Sequence, residues 1–230
     1  MSKEELMGKL AKTIIDGDEQ AAGAVAQEII AAGIDPLEAI SQGGRKGLDI
    51  VGERFQRLEA FLPELVQAGD AMKACMAVLK PHINQQQTTE ISQGGVVIGT
   101  VKGDIHTIGK DLVATMLIAS GFEVHDLGIN VPVKRFIEES EKVQAKVIAL
   151  SALLTQTSYY QKQVIDYLRD AGMRNRYYVV VGGAPISPEW ATEAGADGYA
   201  RTAVGATQLV KRLLTEGVLP PLSQPVIINQ

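Results

Sequence analysis

The chain has 230 residues, 46% hydrophobic and 21% charged, which is the balance of a soluble globular protein with room for one large domain or two small ones. A net charge of −5 with no cluster of Lys and Arg argues against nucleic acid as a partner, because phosphate binding needs grouped cations. The single cysteine, Cys75, excludes an intramolecular disulfide and a multi-cysteine metal site. No apolar run approaches the roughly 18–20 residues of a membrane span. The charged start MSKEELMGKL lacks the apolar core of a signal peptide, so a cytoplasmic protein with no membrane partner is expected.

Residues 1–83 read as helices alone. Leu6, Leu10 and Ile14 recur at helical spacing, and a second helix carries Val25, Ile29 and Ile30 to a stop at Gly33. Asp35 before Pro36 is a helix start, a capping acid followed by proline at the first helical position. That third helix is predicted to run through Ile40, Leu48 and Val51 toward Phe55. A fourth begins near Phe61 and carries Leu65, Met72, Cys75, Met76 and Leu79 as one stripe until Pro81. Four helices with short connections predict a small four-helix bundle. The polar, aperiodic segment 84–95 reads as a linker.

The pattern then changes to alternation. Strands are predicted at 96–100, 122–128, 146–152, 177–183 and near 198–200, and helices at 109–119, 132–142, 157–171, 187–194 and 203–214. Such alternation implies an α/β domain over 96–215, a five-stranded parallel sheet with helices on both faces. The tail 216–230, with three prolines, is expected to lie irregularly on the surface or to dock on a partner.

Ligands of open parallel sheets bind outside the carboxyl ends of the strands. The turns there are KGDIHTIG, SALLTQTS, GGAPIS and YARTAVGA. Neither G-x-G-x-x-G nor G-x-x-x-x-G-K-[ST] occurs after the first strand, which counts against dinucleotide and ATP binding. The third strand ends in Ser151, which counts against a phospho-acceptor acid. A flavin remains open on pattern alone. Asp104 and His106 lie two positions apart, so both side chains can fall on one side of an extended backbone. A metal-bound imidazole commonly gives its other ring N–H to a carboxylate. Asp104 capping the next helix is the plainer account of the pair. Because zinc needs three or four ligands, one imidazole points instead to a metal already held by a macrocycle, haem or corrin.

The chain resembles the cobalamin-binding module of methionine synthase, and more closely the corrinoid proteins of anaerobic methyltransferase systems. D-x-H-x-x-G is met by Asp104, His106 and Gly109, S-x-L-x-T by Ser151, Leu153 and Thr155, and G-G by Gly182 and Gly183. The resemblance implies a helical cap domain, a linker that can hinge, and a Rossmann-like (flavodoxin-like) cobalamin domain. It implies base-off cobalamin with His106 as lower ligand of cobalt, held by Asp104, with Ile105 and Thr107 beside it. Methionine synthases complete a relay with a serine where this chain has Thr157, which keeps the hydroxyl. Ser151, Leu153, Thr155, Gly182, Gly183, Tyr199, Ala200 and Ala203 are implied to line the slot for the displaced nucleotide tail. Phe55, Leu62 and Leu65 are implied to shield the upper face, although their spacing equally fits bundle core.

The implied function is a methyl carrier. A substrate:corrinoid methyltransferase would load Co(I), and a second methyltransferase would pass the methyl from methyl-Co(III) to tetrahydrofolate or a thiol. A reductive activator would rescue oxidised cobalt. A corrinoid sensor module and the small subunit of an adenosylcobalamin mutase are the alternatives. The methyl donor is not legible.

Overall fold

The first helix, α1 (Lys3–Ile15), opens on a reciprocal cap. Ser2 Oγ accepts from the Glu5 amide at 3.2 Å, and Glu5 returns a carboxylate to the Ser2 amide at 2.7 Å. The computed structural model that contains it describes residues 1–82 and 95–229. The chain divides into two compact units, one helical and one α/β.

In the helical unit, α2 (Glu19–Ala31) follows α1, and Asp35 caps the next helix by accepting from the Leu37 amide at 3.0 Å. The predicted third helix is present as α3 (Pro36–Ala39), a π-helical turn (Ile40–Arg45) and α4 (Lys46–Gln56). The last long helix is α5 (Leu62–Leu79). Leu10, Ile14, Ile29, Leu48, Leu65 and Leu79 are fully buried, as the 3.6-residue periodicity requires. Burying each such side chain is worth roughly 1.5–3 kcal/mol. Glycine is what brings the helices together: a Cβ on Gly43 would stand 2.9 Å from Leu10 Cδ2, one on Gly44 2.7 Å from Met72 Sδ, and one on Gly47 2.7 Å from the Ala11 carbonyl.

The α/β unit alternates β1 (Gly95–Thr100), α6 (Ile108–Ala119), β2 (Glu123–Asp126), α7 (Val133–Lys142), β3 (Val147–Ser151), α8 (Thr155–Asp170), β4 (Tyr178–Gly182), α9 (Pro188–Ala194), β5 (Gly198–Ala200), α10 (Ala203–Thr215) and β6 (Val226–Ile228). All pairings between these strands are parallel, in the order β2-β1-β3-β4-β5-β6. The central strands β1, β3 and β4 are nearly continuous apolar runs because helices cover both faces. The core gathers Val97, Ile148, Leu150, Val179 and Val181 with Phe136 and Ile165.

Two expectations are corrected. The sheet has six strands rather than five, and the tail is not irregular: Val226–Ile228 pairs with β5. Buried Asp197 accounts for it. Its carboxylate meets Arg174 Nη2 at 2.8 Å and accepts from the Val179 amide at 2.6 Å. It also accepts from the tail amide of Leu222 at 2.8 Å. The Tyr178 hydroxyl donates to the Val218 carbonyl at 2.6 Å. Pro220, Pro221 and Pro225 are tolerated because the strand that follows them lies at the sheet edge. The predicted linker 84–95 lies outside the described residues except for Gly95, which begins β1. Among the described residues no helix is long and apolar enough to cross a membrane.

Candidate functional site

The strand order reverses between β1 and β3, and that is where a crevice opens in a sheet of this topology. Thr100, Ser151 and Gly182, the last residues of β1, β3 and β4, stand in register across three adjacent strands. The loop after β1 carries Asp104 and His106, and the loop after β3 carries Leu153 and Leu154.

Asp104 is the hub of this crevice and is fully buried. Its Oδ1 lies 2.7 Å from His106 Nδ1 and accepts from the His106 amide at 3.1 Å. Its Oδ2 accepts from the Leu153 amide at 2.7 Å, the Leu154 amide at 3.2 Å and the Thr157 hydroxyl at 2.6 Å. Burial pushes the carboxyl's pKa up, but the bonds from Thr157, the Leu153 amide and His106 outweigh it and hold the group well below the ordinary carboxylate range. Asp104 is therefore an anion whose lone pairs are all spoken for. It fixes the proton of the imidazole on Nδ1 and leaves Nε2 as the free lone pair. The His106 side chain is 45% exposed, and no described residue bonds its Nε2. The three residues named from the sequence as Asp104, His106 and Thr157 are thus brought together.

Around His106, Ile105 and Leu153 are exposed, Thr107 is half-buried and Gly109 is exposed with open space where a Cβ would stand. Ser151 and Gly182 are half-buried, and Thr155 opens α8 in solvent. Gly183 is a glycine for a reason internal to the fold: its φ is +129°, and a Cβ would stand 1.7 Å from the Ala152 carbonyl oxygen. Tyr199 and Ala200 are buried in β5, and Ala203 begins α10 half-buried. In the helical unit, Phe55 is half-buried, Leu62 is exposed, and Leu65 is buried in the bundle core.

Sequence reasoning missed several residues of this edge. Ile108, Ile129 and Leu154 are apolar and exposed at the same ends of the strands. Their signal was an aliphatic side chain in a loop where a polar one costs nothing. Buried Gln161 donates to the carbonyls of Leu150 at 2.9 Å and Gly182 at 3.0 Å, and accepts from Trp190 Nε1 at 2.9 Å. It ties the ends of β3 and β4 to α8 and α9.

A corrinoid suits these residues. Among the described residues no group of three or more His, Cys, Asp or Glu could hold a bare metal ion. One oriented imidazole with a free Nε2 suits a metal carried by its own macrocycle. The exposed aliphatic side chains of Ile105, Ile108, Ile129, Leu153 and Leu154 suit a large apolar ring. The open space at Gly109 leaves room for its approach.

The fold and the Asp104–His106 site define a cobalamin-binding protein, and family models described as B12 binding domains match residues 94–207 and 6–80. The chain belongs to the corrinoid proteins of methyltransferase systems. It is 45% identical over 213 residues to trimethylamine corrinoid protein 1 of Methanosarcina acetivorans, covering 93% of this chain and 99% of that one. It is 44% identical over 214 residues to the dimethylamine corrinoid protein of Methanosarcina barkeri, covering 93% and 100%. Among solved structures, the methanol:cobalamin methyltransferase complex MtaBC from Methanosarcina barkeri superposes with a TM-score of 0.84 at 28% identity, covering 95% of this chain and 82% of that one. A cobalamin-binding protein from Desulfitobacterium hafniense superposes with a TM-score of 0.65 at 33% identity, covering 90% and 97%. With the family shown, the flavin alternative falls.

Proposed function

We propose that the protein carries a methyl group on base-off cobalamin with His106 as the lower ligand, and that the methyl donor is a methylated amine. The observation that carries the ligand assignment is the exposed imidazole of His106 held at 2.7 Å by a fully buried carboxylate. The amine assignment is supported by identities of 45% and 44% to trimethylamine and dimethylamine corrinoid proteins over nearly the whole chain.

Cobalt, when bound, supplies a nucleophilic metal that takes up and gives up a methyl group. The chain's own residues do the rest. Asp104 keeps the proton on Nδ1, so that Nε2 presents its lone pair. Thr157 steadies Asp104 by donating its hydroxyl hydrogen. The exposed aliphatic side chains at the strand ends would pack against the corrin and exclude water from it. Ser151, Thr155, Gly182 and Gly183 would receive the displaced nucleotide tail. The partners are an amine-specific substrate:corrinoid methyltransferase, a methylcorrinoid:acceptor methyltransferase acting on a thiol or tetrahydrofolate, and a reductive activator.

The test loads the protein with cobalamin and mixes it, reduced, with methyltransferases specific for trimethylamine, dimethylamine and methanol, each with its substrate. The expected result is methylation, read from the optical spectrum, with an amine enzyme. Methylation by the methanol enzyme alone would overturn the donor assignment. A His106→Ala variant that keeps a His-ligated spectrum would overturn the ligand assignment.

A further inference from the structure

We propose that His106 engages and releases its metal by rotation of the side chain about a backbone that stays in place, and that Thr100 and Asn130 are the positioning residues that hold that backbone. The inference rests on the reading of His106 as the metal ligand.

Thr100 ends β1 and is fully buried. Its amide donates to the Gly128 carbonyl at 2.9 Å, and its carbonyl accepts from the Val131 amide at 2.9 Å, so its own position is set on both sides. From there its hydroxyl donates to the His106 carbonyl at 2.8 Å. Asn130 approaches from the loop between β2 and α7. Its side-chain Oδ1 accepts from the Gly103 amide at 2.8 Å, and its amide donates to the Asp104 carbonyl at 2.9 Å. It does this from a φ of +50°, a left-handed conformation that asparagine tolerates better than most side chains. Residues 103, 104 and 106 are therefore each gripped by Thr100 or Asn130, and the Asp104 amide is bound in addition to the Val101 carbonyl at 3.1 Å.

The imidazole is held differently. It is 45% exposed, and its one hydrogen bond runs from Nδ1 to Asp104. Displacing the loop would break the bonds from Thr100 and Asn130 and the one from the His106 amide to Asp104 as well as the one from Nδ1, whereas turning the ring breaks only the bond from Nδ1 to Asp104. The cheaper motion is rotation. This stationary backbone lets the ring return to the same place in every cycle, as a ligand that must reform the same bond requires.

The experiment compares wild type with Thr100→Val, Thr100→Ser, Asn130→Gly, Asn130→Asp and His106→Ala. Valine keeps the shape of Thr100 and loses the hydroxyl. Serine keeps the hydroxyl. Glycine keeps the left-handed backbone of position 130 and loses the acceptor. Aspartate keeps both. Each cobalamin-loaded protein is poised as cob(II)alamin, and nitrogen splitting in the electron paramagnetic resonance spectrum gives the ratio of His-bound to His-released cobalt. Amide hydrogen exchange over residues 103–107 is followed in both states. Thr100→Val and Asn130→Gly are expected to lower the ratio roughly threefold to tenfold, the size of one neutral hydrogen bond, and to speed exchange. Thr100→Ser and Asn130→Asp should stay near wild type, and wild-type exchange over 103–107 should be the same whether the ligand is bound or released. Faster wild-type exchange on release would overturn the rotation. An unchanged ratio in Thr100→Val and Asn130→Gly, or a loss in Thr100→Ser as large as in Thr100→Val, would overturn the positioning roles. Nitrogen splitting that persists in His106→Ala would instead overturn the ligand reading beneath both.

Discussion

Thr157 Oγ1 lies 2.6 Å from Asp104 Oδ2, and the two residues are 53 positions apart. The hydroxyl has one hydrogen and two acceptors in reach, since the Leu154 carbonyl stands at 2.8 Å. The ionised carboxylate is the stronger acceptor and takes it. A hydrogen bond to a charged group, both partners buried, is worth about 1.5–3 kcal/mol. Thr157→Val should lower the stability of the cobalamin-free protein by that amount in urea denaturation, and Thr157→Ser should recover most of it. Equal losses in both variants would assign the effect to the methyl group.

The same carboxylate makes stability depend on pH. Asp104 titrates below its ordinary value of 3.8 in the folded chain, so folding favours its ionised form. The stabilisation is complete above 3.8 and is lost as the pH falls below it, because the unfolded chain then takes up the proton first. Wild type should therefore exceed Asp104→Asn in stability at neutral pH by a margin that narrows as acid is added. A margin that is constant from pH 7 to pH 3 would contradict this.

Two glycines of the site separate packing from binding. Gly183→Ala places a methyl carbon against the Ala152 carbonyl at a φ of +129° and should destabilise the α/β unit by about 4 kcal/mol or more. Gly109→Ala meets open space in the first turn of α6 and should leave the melting temperature unchanged or slightly raised. Its cobalamin affinity should nevertheless fall, because the methyl enters space left for the ligand. Unimpaired binding in Gly109→Ala would remove Gly109 from the site.

Cys75 is fully buried in the bundle, and burial pushes its thiol up to about 12. The folded protein should resist iodoacetamide at pH 8 and react once denatured. Mass spectrometry of the native protein decides this, and rapid labelling would show the thiol to be accessible.

Legibility followed the range of the interactions. Helices and strands were readable because burial imposes a period on neighbouring residues, and the positions of α1, α2 and β1 to β5 follow it. The π-helical turn was not, since one extra residue in a turn hardly alters the apolar spacing of α3 and α4. β6 was hidden by Pro220, Pro221 and Pro225, while the contacts that dock it come from Asp197 and Tyr178, well upstream. Within the site, Asp104 and His106 were visible because two positions of backbone join them. Thr157 needed the family resemblance. Thr100 and Asn130 carried no pattern at all: Thr100 reaches the His106 carbonyl only through the turn of the loop after β1, and Asn130 reaches Gly103 only once the β2–α7 loop has folded back beside it.

The three close approaches at Gly43, Gly44 and Gly47 bear on how the helical unit responds to load. Helices whose surfaces already touch have no slack to yield one at a time, so the bundle transmits a push as a solid block does. Its amides should lose protection together in a single cooperative opening, with no early-melting helix to serve as an internal joint.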